Sequence, residues 1–520
     1  MTINRGHILW VDDEIDHLRP HILLLQEKGY KTTTLSNGQD AIEYIRKQNT
    51  QLVLIDQYMP GLDGLETIRQ IRQINQEIPI ILITKSDEES LMDAAIGENV
   101  VQYLIKPINP SQVFTACKQV LEERQIRKDK ATRDYLQEFQ SIDQMNYDSM
   151  DINNWWQIYQ KIVNWQINFD KHTDIGLESI LSDQIHTFNS EFAHFILKNY
   201  PQWVTKNESV KPILSNSVLS SFAFPDLKSG KKVIFILVDG LRFDQLMTIL
   251  PELSDNFDYQ LDYFVSILPS ATSFSRNAIF SGLLPDDLME RYPEQKELML
   301  KQTSSLNRFE KQFLADQLKF FHLDEKSHFY QKIVRSEDGV RLKNRASDLM
   351  NIDLITLVVN FVDMLAHKRS ESDVLMEMVP DEAGYRHAVR NWFRHSWLLE
   401  MLKEFKAKDH HIIITGDHGS IRVQQSAIVG GDRSTSSGIR YKYGRNLNSD
   451  DRNAVVIKDP ARYRLPVFDG QTNYLIAKGN TYFLYPTQYH KYKSMLSGSF
   501  QHGGISLEEM MVPVLTLSSK

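Results

Sequence analysis

Short apolar runs alternate with amphipathic segments over the first 125 residues. Four runs are rich in branched apolar residues, and a weaker fifth, KTTTL, comes second in chain order; the runs are 7–11, 31–35, 51–56, 78–84 and 100–106. Helical patterns lie between them. Strands that alternate with helices are typical of a doubly wound parallel sheet. We therefore predict an α/β domain over 1–125.

The pattern changes to a helical one between about 112 and 205, first charged and then aromatic. Glycine and proline are nearly absent until Pro201. Tryptophan and phenylalanine recur at helical spacing, which favours core positions over cofactor contacts. We predict a helical bundle over 126–205 that links the two ends of the chain.

A second α/β pattern follows a polar connector at 206–232. Its three apolar runs, 232–240, 353–363 and 409–419, each lead into acidic residues. We predict an α/β domain over 206–520. Within it, the Gly/Ser-rich span 430–446 has the composition of a mobile loop.

Composition excludes several classes of protein. A length of 520 residues allows three or four domains. The formal net charge of −8 argues against general nucleic-acid coating and against a polybasic membrane tether. The single cysteine, Cys117, excludes an intramolecular disulfide. With no signal-peptide pattern and no apolar run near the ~20 residues of a membrane span, we expect a cytoplasmic protein.

Polar residues follow the apolar runs of the first domain at the positions where phosphoryl chemistry needs them. Acyl-phosphate formation on an aspartate requires a divalent cation, and it requires a second cation and a hydroxyl to hold the phosphoryl oxygens. In doubly wound sheets these groups converge at the carboxyl ends of the strands. The strand-end residues are Asp12, Asp13, Asp56, Thr84 and Lys106.

This ordered set resembles the receiver domain of response regulators, over 1–125. The resemblance implies that Asp56 is the phosphoacceptor and that a sensor histidine kinase is its partner. It implies Mg²⁺ ligands in Asp13, Asp56 and the backbone of Tyr58. Thr84 and Lys106 would contact the phosphoryl group, and Tyr103 would be the aromatic residue that reorients on activation.

Metal-compatible residues also follow the apolar runs of the C-terminal half. They are Asp239, the pair Asp363 and His367 four residues apart, the pair Asp417 and His418, and His502. Aspartate and histidine together suit Zn²⁺, with Mn²⁺ as the alternative. Thr272 precedes a predicted helix, where a metal and the helix dipole would activate its hydroxyl as a nucleophile. The count is that of a two-metal phosphohydrolase.

The order Asp, Thr, Asp-x₃-His, Asp-His, His resembles the alkaline phosphatase superfamily, and within it the PglZ branch, over roughly 230–520. The resemblance implies two Zn²⁺ ions and Thr272 as nucleophile. It places Asp239, Thr272, Asp417 and His418 at one ion. It places Asp363, His367 and His502 at the other.

The substrate side is less defined by the sequence. Asn277, close after Thr272, is a candidate hydrogen-bond donor to a phosphoryl oxygen. Arg433 and Arg440, with Lys442 and Arg445, lie in the Gly/Ser-rich span. They are either a solvated surface loop or a lid that brings cations over a phosphate substrate.

Two classes of function follow. The order of receiver, helical linker and PglZ-like domain resembles a family of response regulators of the Bacteroidetes. That resemblance implies a role in type IX secretion and phosphodiesterase activity on cyclic and linear oligonucleotides. Because a phosphoryl group adds roughly −1.5 to −2 charge and new contacts at Thr84 and Lys106, we also predict that phosphorylation favours a homodimer through the receiver. The alternative is a non-catalytic, metal-stabilised effector that binds a sigma factor or a secretion component. The complete ligand set with its threonine favours the enzyme, since a purely structural site needs no nucleophile.

Overall fold

The computed structural model describes residues 5–85, 94–95, 97–143, 145–171, 177–205, 211–301, 306–406, 410–432, 436, 438–487 and 489–520. The chain divides into two compact units, Met1–Ser141 and Ile142–Lys520. Within the described ranges, no helix combines the length and the apolar character that crossing a membrane requires.

The first unit is built on a five-stranded parallel sheet. Its strands are β1 (Gly6–Val11), β2 (Tyr30–Leu35), β3 (Leu52–Asp56), β4 (Ile80–Thr84) and β5 (Gln102–Ile105), in the spatial order β2-β1-β3-β4-β5. The helices are α1 (Arg19–Glu27), α2 (Gly38–Lys47), α3 (Gly64–Ile74) and α4 (Pro110–Asp143). Strands β3 and β4 are buried along their whole length because helices cover both faces of the sheet. The predicted doubly wound sheet is confirmed.

Local signals fix where two of these helices begin. The side chains of Asn37 and Asp63 accept hydrogen bonds from the backbone N–H groups of Asp40 and Glu66. Such N-caps satisfy amide groups that the first helical turn leaves without a partner. The cap at Asp63 places the start of α3 a few residues after the end of β3, close to Asp56.

The second unit is built on a six-stranded mixed sheet. Its strands, in spatial order, are β7 (Phe257–Val265), β18 (Met511–Ser519), β10 (His411–Thr415), β6 (Val233–Val238), β9 (Leu354–Val359) and β8 (His328–Ile333). Strands β10, β6, β9 and β8 are parallel, whereas β18 is antiparallel to β10 and β7. The three runs predicted from the sequence are the adjacent central strands, so their carboxyl ends lie side by side.

Shorter strands lie between β10 and β18 in the chain. They are β11 (Ile421–Arg422), β12 (Gln425–Ile428), β13 (Tyr441–Arg445), β14 (Ala454–Ile457), β15 (Thr472–Ala477), β16 (Thr481–Leu484) and β17 (Phe500–Gln501). Strand β13 pairs antiparallel with β15. The prediction of one mobile loop over 430–446 is therefore wrong for 441–445, where a hydrogen-bonded partner strand holds the backbone.

Helices flank this sheet on both faces. They are α5 (Ile152–Lys171), α6 (Glu178–Thr205), α7 (Phe224–Lys228), α8 (Phe243–Ser254), α9 (Thr272–Ser281), α10 (Pro285–Arg291), α11 (Pro293–Lys301), α12 (Glu310–Phe320), α13 (Ser336–Lys343), α14 (Ala346–Leu349), α15 (Phe361–Arg369), α16 (Asp373–Met378), α17 (Glu382–Arg394), α18 (Trp397–Lys406), α19 (Tyr489–Leu496) and α20 (Leu507–Met510).

Helices α5 and α6 belong to the second unit, where their aromatic side chains are core residues. Trp156 stacks on Tyr263 of β7 with ring centroids 4.8 Å apart and also contacts Phe243 of α8. Trp155 is fully buried. The prediction that these aromatics form core is confirmed. The division into three domains at 125 and 205 stays a prediction.

Candidate functional site

An acidic cluster lies at the carboxyl edge of the first sheet. Carboxylate oxygens of Asp12, Asp13 and Asp56 lie within 4.8 Å of one another, close enough to share a cation. Lys106 Nζ lies 2.9 Å from Asp12 Oδ2 and 3.0 Å from Asp56 Oδ1. Thr84 ends β4 beside them and is buried. The residues that the sequence placed at strand ends therefore converge.

Burial and charge act against each other in this cluster. Burial raises the pKa of Asp56, and the hydrogen bond from Lys106 opposes the shift. For Lys106, burial lowers the pKa, but the hydrogen bonds to Asp12 and Asp56 outweigh it and leave the pKa raised. A cationic lysine therefore lies against the candidate phosphoacceptor. Tyr58 and Tyr103 are both exposed.

The first metal-compatible group of the second unit lies after β6 and β10. Asp239 directly follows β6, and Asp417 and His418 follow β10, so adjacent parallel strands bring them together. One ligand atom of each lies within 4.8 Å of the others, and all three residues are buried. Burial raises the pKa of Asp239 to about 7, with Arg276 opposing the shift and the carboxylates of Asp417 and Asp363 adding to it.

Thr272 is positioned at this group by the first turn of α9. Its Oγ1 lies 2.9 Å from His418 Nε2 and 3.5 Å from Asp239 Oδ1. The residue is the first of the helix, so the N-terminal amide groups and the helix dipole favour negative charge there. The hydroxyl thus lies where an oxyanion and an incoming phosphate would both be stabilised.

The second group consists of Asp363 and His367 on α15 and His502 after β17. Asp363 Oδ1 lies 3.3 Å from His367 Nε2 and 3.7 Å from His502 Nε2. Burial acts to raise the pKa of Asp363, but the hydrogen bond that it accepts from His367 and the charge of His502 outweigh this effect and depress the pKa. The hydrogen bond that His367 donates to Asp363 raises the pKa of His367. Burial and the neighbouring His418 lower the pKa of His502.

The two groups adjoin each other. The rings of His418 and His502 stack with centroids 4.1 Å apart. The backbone N–H of Asp363 donates to the carbonyl of Asp239 at 3.1 Å. Gly240, at φ +75°, turns the chain directly after Asp239, and a Cβ there would lie 3.4 Å from the Cβ of Asp363. A glycine at this position allows the segment that carries Asp239 to lie close to the segment that carries Asp363.

The donor set fits two divalent cations. Each group offers three carboxylate or imidazole ligands, the number that catalytic zinc sites take from the protein. Asp417 Oδ2 is buried and makes no hydrogen bond within the described part of the chain. Buried polar atoms normally have a partner. A cation at the first group would supply one.

A buried ion-pair chain behind Asp239 was not predicted from the sequence. Arg276 Nη1 donates to Asp239 Oδ2 at 2.5 Å, and its Nε donates to Glu310 Oε1 at 2.6 Å. Glu310 in turn accepts from the hydroxyl of Tyr330. Arg276 lies four residues after Thr272 on α9, so helical spacing places both on one face of the helix. The four-residue spacing from Thr272 was the signal in the sequence that could have identified Arg276.

Two of the substrate-side predictions fall on residues whose side chains bind other parts of the protein. Asn277 is fully buried, and its amide donates to the carbonyls of Ser273 and Leu306. Arg440 is fully buried in an ion pair with Glu509. Neither side chain lies free above the site, so the interpretation of them as substrate contacts is wrong. Arg433 lies outside the described residues.

The other two cationic residues predicted in the Gly/Ser-rich span also bind partners within the protein. Lys442 Nζ donates to the carbonyl of Gly438 at 2.9 Å, and Arg445 pairs with Asp469. A lid of several free cations is therefore absent from the residues described between 436 and 446.

The fold and its two sites define a response regulator, in which a receiver is joined to an alkaline-phosphatase-like effector. Residues 8–118 match the model of the response regulator receiver domain, and residues 125–204 match that of the PorX response regulator linker domain. Residues 218–517 match the model of the BREX system PglZ alkaline phosphatase-like domain. The last match covers more than half of the chain, which therefore belongs to the PglZ family.

Curated relatives match part of the chain. The transcriptional regulatory protein ZraR of Klebsiella oxytoca is 30% identical over 132 residues, which are 25% of this chain and 30% of that protein. The cyclic di-GMP phosphodiesterase response regulator RpfG of Xanthomonas campestris pv. campestris (strain 8004) is 32% identical over 123 residues, 23% of this chain and 32% of that protein. The chain thus spans about a third of the length of these relatives.

Solved structures of single receivers are also similar. A CheY-like receiver domain protein from Methanospirillum hungatei JF-1 has 21% sequence identity and a TM-score of 0.23, with 24% of this chain and 98% of that chain covered. A two-component response regulator from Clostridium difficile has 26% identity and a TM-score of 0.22, with 22% and 96% covered.

Proposed function

We propose that this response regulator is phosphorylated on Asp56 and that its PglZ domain is a metal-dependent phosphodiesterase with Thr272 as nucleophile. The observation that carries the proposal is the position of Thr272. Its hydroxyl lies at a helix N-terminus, 2.9 Å from His418 and beside two adjoining groups of three metal-compatible ligands. A structural metal site would be closed and would contain no such hydroxyl.

The reaction begins when Thr272 Oγ1 attacks the phosphorus of a phosphodiester. The new Oγ1–P bond replaces the bond from phosphorus to the leaving alcohol, which departs with a proton. Water then attacks the same phosphorus, breaks the Oγ1–P bond and regenerates the threonine hydroxyl. The helix α9 amides stabilise the negative charge on the phosphoryl oxygens.

The metal ligands follow the two groups of the site. Asp239, Asp417, His418 and Thr272 would hold one Zn²⁺, and Asp363, His367 and His502 would hold the other, with Mn²⁺ as the alternative. Two such ions would lower the pKa of the attacking hydroxyl and offset charge on the leaving oxygen. Arg276 keeps the Asp239 carboxylate oriented through its contact with Oδ2.

We propose that phosphorylation of the receiver controls the phosphodiesterase activity. A sensor histidine kinase supplies the phosphoryl group, and Asp13, Asp56 and the backbone of Tyr58 hold Mg²⁺. Lys106 and Thr84 then contact the phosphoryl oxygens, as their positions beside Asp56 allow.

The substrate class and the setting rest on family likeness. We propose that the protein acts in the cytoplasm as a phosphorylation-dependent homodimer that regulates type IX secretion; the match of residues 125–204 to the PorX response regulator linker domain is in keeping with that family resemblance. We propose cyclic or linear oligonucleotides as substrates. The similar protein RpfG is named as a cyclic di-GMP phosphodiesterase response regulator, in keeping with a nucleotide phosphodiester.

The decisive experiment compares zinc-loaded wild-type protein with Thr272→Ala. We expect hydrolysis of bis(p-nitrophenyl) phosphate and of short oligonucleotides to fall by at least roughly 100-fold in the variant, because a nucleophile is lost. Thr248→Ala, which removes a threonine hydroxyl from α8, is the matched control and should retain full activity. A Thr272→Ala protein that keeps both its metal and its hydrolysis would refute the nucleophile. A wild-type protein that binds metal without hydrolysis would favour an effector that binds a sigma factor or a secretion component.

A further inference from the structure

The two residues that flank Tyr441, the first residue of β13, are both anchored by polar contacts. Arg440 Nε and Nη2 donate to the carboxylate of Glu509 at 2.7 and 2.6 Å. Lys442 is also buried, with its Nζ 2.9 Å from the carbonyl of Gly438. Successive side chains of a strand point to opposite faces. The residue between them, Tyr441, therefore points the other way.

Tyr441 points to the nucleophile and to the second metal-compatible group. Its hydroxyl lies 3.5 Å from the Oγ of Ser273, the residue after Thr272. Its ring packs edge-on against Phe274 with centroids 5.7 Å apart. On the other side it meets Gly503, next to His502, where a Cβ would lie only 2.3 Å from the ring. The ring thus occupies the space between the Thr272 turn and the His502 turn.

The hydroxyl of Tyr441 is only loosely engaged. A 3.5 Å contact is at the outer limit of a hydrogen bond, and among the described residues it is the one polar contact of this hydroxyl. Tyr441 as a whole residue is partly exposed, and burial raises the pKa of its hydroxyl. A phenol remains protonated at neutral pH and can donate to a phosphoryl oxygen.

We propose that Tyr441 contacts the substrate and donates a hydrogen bond from its hydroxyl to a non-bridging oxygen of the phosphoryl group at Thr272. The inference rests on the proposed phosphoryl transfer to Thr272 and adds a substrate-binding residue to it. No covalent bond changes at Tyr441. Its contribution is to orient the phosphoryl group against the α9 amides.

The test is Tyr441→Phe in the full-length, zinc-loaded protein. The variant keeps the ring that packs on Phe274 and loses only the donor. We expect kcat/KM for bis(p-nitrophenyl) phosphate to fall roughly 10- to 100-fold, the range for loss of one hydrogen bond to a charged oxygen. The affinity for inorganic phosphate, measured by calorimetry, should fall roughly 10-fold. Metal content and thermal stability should be unchanged.

Tyr443→Phe is the matched control on the same strand. The Tyr443 hydroxyl donates to the carbonyl of Met299, away from the nucleophile, so this variant should keep wild-type kcat/KM and phosphate affinity. The proposal is overturned if Tyr441→Phe keeps both values, or if it loses metal in proportion to activity. If the wild-type protein hydrolyses neither substrate, the proposed function fails. The affinity for inorganic phosphate then tests the Tyr441 contact by itself. A loss in Tyr441→Phe then supports the contact, and an unchanged affinity overturns it.

Discussion

The guanidinium of Arg386 binds the carboxylate of Asp170 through two hydrogen bonds of 2.7 Å each. Asp170 lies on α5, in the stretch that matches the linker model, whereas Arg386 lies on α17. Arg386 also donates to Asp244 at 3.0 Å, and Asp244 pairs with Arg242, three residues after Asp239. An almost fully buried chain of charges thus runs from a linker helix to the loop that carries a candidate metal ligand.

The Asp170–Arg386 pair should be a large contributor to the stability of the second unit. Asp170→Ala leaves the buried guanidinium with Asp244 alone, and we expect the free energy of unfolding to fall by about 3 kcal/mol. Urea denaturation followed by tryptophan fluorescence measures it. Glu252→Ala removes the partner of Arg390 and Arg394, which are exposed and lie on the same helix as Arg386, and should cost less than about 1 kcal/mol. Equal losses in the two variants would contradict the prediction.

Asp56 should accept phosphate from acetyl phosphate or a cognate histidine kinase when Mg²⁺ is present. The carboxylate lies in a cluster that can share a cation and 3.0 Å from Lys106, which can offset the charge of the product. Intact-protein mass spectrometry should show the adduct in the wild-type protein and none in Asp56→Ala. Asp63→Ala, which removes only the cap of α3, is the control and should still be phosphorylated. Persistent phosphorylation of Asp56→Ala would disprove the assignment.

The purified protein should carry about two zinc ions, and His367→Ala should retain about one. His367 belongs to the group with Asp363 and His502, so the variant leaves Asp239, Asp417 and His418 intact. Elemental analysis after chelator-free purification measures the content. His387→Ala, an exposed histidine on α17, is the control and should keep both ions. An absence of transition metal from the wild-type protein would rule out the metal assignment.

Lys442 should make the free energy of unfolding of the second unit increase with pH in the alkaline range. Burial lowers the pKa of Lys442 from its ordinary value of 10.5 to about 8. Between these two values the unfolded chain binds more protons than the folded one, so the free energy of unfolding rises with pH across this window. Subtracting the pH profile of Lys442→Met from that of the wild-type protein removes the other titrating groups. The difference should rise by roughly 3 kcal/mol from pH 8 to pH 10.5; a flat difference would contradict it.

The sequence predicted the central strands and the metal-compatible groups because both signals are local. Strands β6, β9 and β10 are buried on both faces, so each is a continuous apolar run that leads into acidic residues. When such strands are parallel neighbours in a sheet, their carboxyl ends lie at the same edge, regardless of the length of the chain between them. The edge strand β7 mixes polar and apolar residues along FDYQLDYFV, and its pattern did not separate it from a loop.

The substrate side could not be predicted, because its contacts join residues far apart in the chain. Arg440 lies in a segment with the composition of a flexible loop, but its side chain is buried against partners far along the chain, among them Glu509, 69 residues away. Arg276 likewise depends on Glu310, 34 residues away. A cation in a Gly/Ser-rich span has the same pattern whether it is a lid or an interior ion pair. Which of the two it is depends on the residue that pairs with the cation in the folded structure. The periodicity of the sequence gives no information about that partner.

Phosphorylation should favour a dimer through the receiver. Tyr103 and Ile105 of β5, and Val101 directly before the strand, alternate along the chain and leave 42%, 39% and 53% of their surfaces exposed. Alternate residues of a strand lie on one face, so they form an apolar row that a second copy could bury. A phosphoryl group adds roughly −1.5 to −2 charge beside Lys106 and Thr84, at the end of β5 and β4.

The size of this effect depends on how differently the phosphorylated and unphosphorylated receivers bind a second copy, since a modification shifts an equilibrium only by that difference. Analytical ultracentrifugation with the phosphoryl mimic beryllofluoride should show more dimer than the untreated protein. Val101→Asp places a charge in the apolar row and should abolish the increase. Leu23→Asp alters an equally exposed residue on α1 and should preserve it. An unchanged monomer–dimer balance, with an unchanged phosphodiesterase rate, would mean that the receiver does not regulate the effector in this way.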